Sequence, residues 1–151
     1  MTRDEGYMKL ALAQAKKASE SGEIPVGAVI VKSDVVIAAA FNKKETKKNP
    51  LAHAELRAIK KAAAFLDDWR LSDCEMFVTL EPCAMCAGAI IESRIKRLVF
   101  GAFDWGNGFM GSLADLPALA LKNDFPVLGG VLSGECSGLL SGFFKSKRTL
   151  V

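Results

Sequence analysis

The stretch Met76-Phe77-Val78-Thr79-Leu80-Glu81-Pro82-Cys83-Ala84-Met85-Cys86 changes character in its middle, and that change decides the fold. Met76 to Leu80 is a short apolar run of the kind that forms a buried strand. Pro82 suits the first position of a helix, which would carry both cysteines and continue to about Glu92. Strand passing directly into helix is the alternation from which α/β layers are built.

The rest of the chain repeats that alternation. Met8, Ala11, Leu12 and Ala15 recur at helical spacing, with Gly22 as the stop. Pro25 to Val31 reads as a buried strand and Val35 to Phe41 as its partner, with Ser33-Asp34 in the tight turn between them. A polar, lysine-rich loop follows from Asn42 to Pro50. A second helix is predicted from about His53 to Asp67, burying Leu56, Ile59, Ala63 and Leu66 on one face. Arg97 to Gly101 is a fourth strand. Residues 102–111, rich in glycine and aromatics, form a loop over the active site. Ser112-Leu113-Ala114-Asp115 reads as a helix start with a capping-box variant. Val127 to Leu132 is a fifth strand, and Cys136, Leu139, Leu140 and Phe143 mark a closing helix. The prediction is a three-layer α/β/α fold, a five-stranded mixed sheet with helices on both faces, in one domain over residues 1–151.

Half of the 151 residues are hydrophobic, which excludes global disorder. The opening Met1-Thr2-Arg3-Asp4-Glu5 is too polar for a signal peptide, and no apolar run is long enough to span a bilayer. Four cysteines, two of them in one Cys-x-x-Cys pair, point to metal in a reducing compartment rather than to disulfides. The expected location is therefore cytoplasmic, with no membrane partner. The net charge of +3 biases the chain toward an anionic partner without identifying one.

Histidine occurs once, in His53-Ala54-Glu55. His53, Cys83 and Cys86 are the candidate ligands of one Zn²⁺, and a three-ligand set leaves the fourth position to water, as catalytic sites do. Cys83 and Cys86, three apart, share a helical face. A helix N-terminus favours their thiolates. His53 and Glu55, two apart, can serve one site only if it lies off the end of their helix. The zinc is thereby placed between two helix N-termini. One Zn²⁺, two thiolates and a neutral imidazole sum to zero charge, so the bound water is acidified less than in a three-histidine site. Glu55 is the candidate base that takes a proton from zinc-bound water, passes it to a ring nitrogen and assists departing ammonia. The rival reading is a closed structural zinc site with Cys74 or Cys136 as fourth ligand. Both read better as buried apolar residues.

H-x-E followed by P-C-x-x-C is a signature of zinc-dependent nucleobase deaminases. The chain resembles the bacterial tRNA-specific adenosine deaminases of the cytidine-deaminase-like superfamily. The resemblance runs through Glu23-Ile24-Pro25-Val26-Gly27-Ala28, Phe41-Asn42, Pro50-Leu51-Ala52-His53-Ala54-Glu55 and Val78 to Ala89. It continues in Ser93-Arg94-Ile95, Gly101-Ala102-Phe103-Asp104, Gly111-Ser112-Leu113 and Phe143-Phe144-Lys145. It implies hydrolytic conversion of adenosine to inosine at the wobble position of a tRNA anticodon, with the base flipped out of its loop. It implies that zinc-bound water attacks C6 with Glu55 as proton shuttle. Asn42 would hydrogen-bond the target base, the Ala54 N–H would hold the reacting groups, and Asp104 would contact the nucleotide sugar or its neighbour. It also implies a homodimer with the anticodon loop bound near the interface.

The residues themselves support RNA through two basic-aromatic patches. Lys43, Lys44, Lys47 and Lys48 follow Asn42, and Lys145, Lys147 and Arg148 follow Phe143-Phe144, with Phe144 the candidate for stacking on a base. Three positions depart from the family pattern. Gly106 stands where many members carry lysine, Leu51 replaces a common threonine, and Lys122-Asn123-Asp124 stands near the place of an Asn-His-Arg. Trp105, Phe109 and Met110 could instead close a small dry pocket, which would make the chain a deaminase of a free base or nucleoside such as guanine. A non-enzymatic zinc- or RNA-binding protein is the remaining class.

Overall fold

The computed structural model describes residues 1–149, so the last two residues of the domain expected over 1–151 lie outside the described residues. The first helix, α1 (Arg3–Glu20), begins with a capping box. The Thr2 hydroxyl accepts from the Glu5 N–H while the Glu5 carboxylate accepts from the Thr2 N–H. Its apolar stripe of Met8, Ala11, Leu12 and Ala15 is buried as the spacing predicted. Gly22, at φ 77°, turns the chain out of the helix.

Strands β1 (Gly27–Lys32) and β2 (Val35–Phe41) form an antiparallel hairpin. Ser33 and Asp34 both adopt positive φ, which matches a two-residue turn to the twist of its strands. Next come α2 (Ala54–Leu66), β3 (Cys74–Leu80), α3 (Ala84–Glu92) and β4 (Arg97–Ala102). The chain closes with the short α4 (Leu116–Leu119), β5 (Val127–Leu128) and α5 (Ser133–Thr149). The sheet order is β2-β1-β3-β4-β5, with β1 antiparallel to β2 and β3, and β3, β4 and β5 parallel. The expected five-stranded mixed sheet is therefore present.

Strand alternation builds two cores. Ala28, Ile30, Met76, Val78, Leu98 and Phe100 point to one face, under Ala54, Ala58 and Ala62 of α2 and Ala87 and Ile90 of α3. Val29, Val31, Phe77 and Val99 point to the other, under Met8, Ala11 and Leu12 of α1 and Cys136 of α5. Helices thus cover both faces, and burial on both is the physical reason the central strands β1, β3 and β4 are apolar along most of their length.

Four local expectations are corrected. The fully buried face of α2 is Ala54, Glu55, Ala58 and Ala62, while Leu56, Ile59, Ala63 and Leu66 are half-buried. The small side chains let the helix approach the sheet, and Ile59 and Leu66 pack at the edge of the core. Pro82 precedes the α3 cap, Cys83, rather than opening the helix. The helix expected at Ser112 starts instead at Asp115, whose side chain caps the Ala118 N–H. Finally β5 ends at Leu128, because a side chain at Gly129 would collide with the Phe100 ring and Gly130 turns at φ 94°.

Gly27 is where α1 and the sheet come closest. A Cβ there would lie under 3.0 Å from the backbone of Ala11 and Ala15. Gly27→Ala is expected to destabilise by about 3 kcal/mol, the upper end of overpacking costs, because a helix backbone cannot yield as a side chain can. Thermal or urea unfolding measures it, and a cost under about 0.5 kcal/mol would show that the helix yields freely.

An ion network ties α1 to the start of β3 and β4. Arg97 pairs with Asp4 at 2.7 Å and with Glu75 at 3.0 Å, and Arg3 pairs with Glu75 at 2.8 Å. Hydrogen bonds from Arg3 and Arg97 hold the Glu75 carboxyl below its ordinary 4.5, and Arg97 holds Asp4 below its ordinary 3.8. A depressed carboxyl stabilises the fold above its unfolded pKa and loses that contribution as pH falls through its folded pKa. Stability is therefore expected to decline as pH falls below about 4.5, and Glu75→Gln to flatten that decline. Equal acid slopes for the two proteins in urea titrations would refute this.

Candidate active site

The loops that follow β2, β3 and β4 and the segment that precedes β1 converge at one end of the sheet. Gly27 opposes Phe41 in the hairpin, and its N–H donates to the Thr79 hydroxyl at 3.1 Å near the end of β3. β3 and β4 run parallel, so their C-terminal ends lie side by side. At this end opens a cavity of about 640 Å³, lined among others by Asn42, His53, Glu55, Cys83, Asp104 and Phe144.

His53 is the N-cap of α2 and Cys83 the N-cap of α3, both with extended backbone, and Cys86 lies in the first turn of α3. The site thus sits between two helix N-termini, as the two-residue spacing of His53 and Glu55 required. The His53 Nδ1 lies 3.8 Å from Cys83 Sγ and 3.5 Å from Cys86 Sγ, and all three ligand atoms fall within 4.8 Å of one another. Zinc–sulfur bonds of about 2.3 Å and zinc–nitrogen bonds of about 2.0–2.1 Å at tetrahedral angles put sulfur and nitrogen about 3.6 Å apart. Both sulfur–nitrogen distances match that value, so the three residues could hold a zinc ion.

Charge at the cluster follows the same geometry. The Cys83 thiol is pulled down to about 3 by hydrogen bonds from Cys86 and His53. Cys86 is pushed up, first by that bond to Cys83 and then by burial and the nearby Glu55. His53 is held above its ordinary value chiefly by Cys83. Cys74 and Cys136 take no part: they lie in opposite cores, and burial raises both thiols, Cys136 to about 11. A closed four-ligand site is thereby excluded among the described residues.

Glu55, on the first turn of α2, is 4 % exposed and lies outside the ligand cluster. Burial raises its carboxyl to about 7. A carboxyl near neutrality can both take and give a proton, which a fully ionised one does poorly. Ala54 is the first residue of α2, so its N–H belongs to the set that no helical carbonyl can receive.

Asn42 is buried at the mouth. Its Nδ2 donates to the Ile24 carbonyl at 3.3 Å and its Oδ1 accepts from the Lys44 N–H at 3.1 Å, which fixes the amide and leaves one donor hydrogen and one lone pair. Asp104 Oδ1 accepts from the N–H groups of Gly106 and Asn107, and Oδ2 accepts no hydrogen bond among the described residues. Phe144 lines the same cavity and is 42 % exposed. All eight site residues read from the sequence therefore meet at this end of the sheet.

Two buried glutamates that sequence reasoning passed over hold the rim. Glu23 accepts from the Glu45 N–H at 3.1 Å and from the Thr46 N–H and hydroxyl, both at 2.6 Å, clipping the lysine loop. Burial works to raise this carboxyl, and the hydrogen bonds override it to leave it below its ordinary value. Glu81 accepts from the N–H groups of Asp104, Met110 and Ser112 and from the Ser112 hydroxyl, clipping the 104–112 loop. The only trace of these roles in the sequence is a carboxylate set at the end of an apolar run. Glu81→Gln puts an amide donor against those N–H donors. It is expected to destabilise by about 2 kcal/mol, the cost of a lost charge-assisted hydrogen bond. Amide exchange of residues 104–112 should accelerate; unchanged protection there would refute the clip.

The loop does not close the cavity. Met110 is buried in the core, Phe109 packs against it, and Trp105 stands in solvent at 72 % exposure. No helix among the described residues is long and apolar enough to cross a membrane.

Residues 1–102 match the cytidine and deoxycytidylate deaminase zinc-binding region. The chain is 48 % identical to a tRNA-specific adenosine deaminase of Bacillus subtilis, over 98 % of this chain and 92 % of that protein. Among solved structures it is similar to one from a study of A-to-I editing by tRNA:A34 deaminases at the wobble position of transfer RNA. That match has a TM-score of 0.81 and 35 % identity, over 89 % of this chain and 99 % of the other. It is also similar to a guanine deaminase from Nitrosomonas europaea, with a TM-score of 0.82 and 27 % identity over 95 % of this chain and 85 % of the other.

Proposed function

The chain belongs to the family of the cytidine and deoxycytidylate deaminase zinc-binding region, and from that membership we propose that it converts adenosine to inosine at the wobble position of a tRNA anticodon. One observation carries the reading. The His53, Cys83 and Cys86 cluster, the buried Glu55 and a basic-aromatic rim share a single pocket, in a chain 48 % identical to a tRNA-specific adenosine deaminase.

We assign His53, Cys83 and Cys86 as the ligands of one zinc ion. Zinc, when bound, activates water as a nucleophile near neutral pH. Glu55 takes a proton from the water that adds to C6 and delivers it to N1 of the adenine ring, then takes the proton of the new C6 hydroxyl and delivers it to N6 as the C6–N6 bond breaks and the C6 carbonyl forms. Water and adenosine go in; inosine and ammonia come out, and Glu55 ends as it began. The spare donor and lone pair of Asn42 suit the flipped base. The Ala54 N–H suits the oxygen added at C6, and Asp104 Oδ2 suits a sugar hydroxyl. Lys44 in the pocket wall, with Lys43, Lys47 and Lys48 beside it, suits the phosphates of a single-stranded loop, and Phe144 suits a splayed base.

The chain acts as one domain in the cytoplasm and pairs as a homodimer in this reading. Incubation with an anticodon stem-loop containing ACG, followed by digestion and mass spectrometry, tests the function. Inosine confined to the wobble position, with turnover that falls as salt rises, is the expected result.

The fold similarity to a guanine deaminase supports a second reading, a free-base deaminase. The burial of Met110 and the outward Trp105 remove the closed dry pocket that reading needs. Ammonia release from a panel of free bases, without inosine in the stem-loop, would restore it.

A further inference from the structure

An aromatic ladder runs from the core to the rim of the pocket. Phe100 of β4, 2 % exposed, meets Phe103 edge-on at 5.1 Å between ring centroids and 87° between planes. Phe103, a pocket-wall residue 47 % exposed, then stacks on Trp105 at 5.9 Å and 15°. Phe103 lies nearly parallel to the indole, and Trp105 keeps most of its surface, 72 %, in solvent.

The loop that carries the pair is braced on both sides of the indole. The Asp104 N–H donates to Glu81, the N–H groups of Gly106 and Asn107 donate to Asp104 Oδ1, and the Gly108 N–H donates to the Asp104 carbonyl at 2.7 Å. An exposed tryptophan normally costs free energy of hydration, and holding one on a braced turn beside a pocket marks a surface that is covered in use.

We propose that the Phe103–Trp105 pair is a stacking platform for the unpaired base next to the target nucleotide in the substrate loop. This rests on the tRNA reading above. Three observations favour a nucleobase. The largely exposed indole is a flat π-surface nearly parallel to the Phe103 ring beside it, a geometry that extends by one more ring. Phe103 lines the pocket that would take the target base, as do Asp104 and Asn107 on either side of Trp105 in sequence, so a neighbouring base would emerge beside the pair. Lys44 lines the same pocket and supplies positive charge for a connecting phosphate. The platform also answers the departure from the family pattern at Gly106, where a lysine is absent: here an aromatic surface replaces a cationic contact.

The test uses the zinc-loaded Glu55→Gln protein, which holds substrate without consuming it, and the ACG stem-loop. The chain has two tryptophans, so Trp69→Phe leaves Trp105 as the sole indole fluorophore. Stem-loop binding is expected to quench it. Trp105→Ala is expected to raise the Kd about 5- to 100-fold and Trp105→Phe to restore most of the loss. An abasic site at one of the two positions flanking the target should weaken binding to the parent but not further to Trp105→Ala. If the wild type makes inosine while Trp105→Ala binds as tightly and feels the abasic site equally, the platform is wrong and the tRNA reading stands. If the stem-loop neither binds nor yields inosine, both fall.

Discussion

Glu55→Gln is expected to lower the deamination rate by about 10³- to 10⁴-fold or more while leaving zinc and fold in place. A general base is worth roughly 10²–10⁴ in rate, and here one carboxyl serves two proton transfers, so the upper part of that range applies. At about 1.4 kcal/mol per factor of ten this is roughly 4–6 kcal/mol of barrier. The amide keeps the shape of the carboxyl and can still donate a hydrogen bond, but it cannot carry a proton between water and the ring. Zinc content should not change, because Glu55 lies outside the cluster of His53, Cys83 and Cys86. Stability should hold or rise, because Glu55 is 4 % exposed and the substitution spares the burial of a charge. Metal analysis, thermal unfolding and single-turnover inosine formation on one preparation read all three. A rate within tenfold of wild type would remove Glu55 from the chemistry. Loss of zinc would make it a structural element of the site.

How much of this could be read from the sequence depends on the range of the interactions involved. The metal cluster was legible because its spacing rule is local: His53 and Glu55 cannot serve one site within a helix, and they meet at its end. Strand β2 was legible at both ends because a two-residue turn and a loop of lysines bound it. The buried face of α2 was not. Leucine and isoleucine mark a helix stripe by size, yet the position nearest the sheet is set by how closely two backbones approach, and Ala54, Ala58 and Ala62 allow that. Likewise β5 stops where Gly129 meets the Phe100 ring, a contact between residues distant in sequence. Glu23 and Glu81 escaped notice for the same reason. Their partners are backbone N–H groups on loops more than twenty residues away. The placement of Trp105 outward and Met110 inward follows from the Glu81 clip, so the loop misreading descends from the missed glutamate.

Cys83→Ala is expected to lose zinc, and with it the zinc-dependent part of the protein's stability, whereas Cys74→Ser keeps zinc while also losing stability. The contrast separates metal binding from folding. Cys83 makes no capping hydrogen bond with its side chain, so its removal costs α3 no cap interaction. It does remove the thiol that the cluster holds down near 3, the one most readily presented as thiolate. A ligand present at a thousand times its Kd stabilises the folded state by about 4 kcal/mol, and the Cys83→Ala protein should forfeit that increment. Its unfolding temperature should then be the same with added zinc as with a chelator, while wild type differs between the two. Cys74 is fully buried in the core under α2 and α3, where a serine hydroxyl costs about 1–3 kcal/mol without a hydrogen-bond partner. Cys74→Ser should therefore melt lower in both conditions yet retain the zinc-dependent difference and one zinc per chain. Zinc lost from a folded Cys74→Ser protein would return a structural four-ligand site to consideration. Zinc retained by Cys83→Ala would show that the cluster at the two helix N-termini is not where the metal sits.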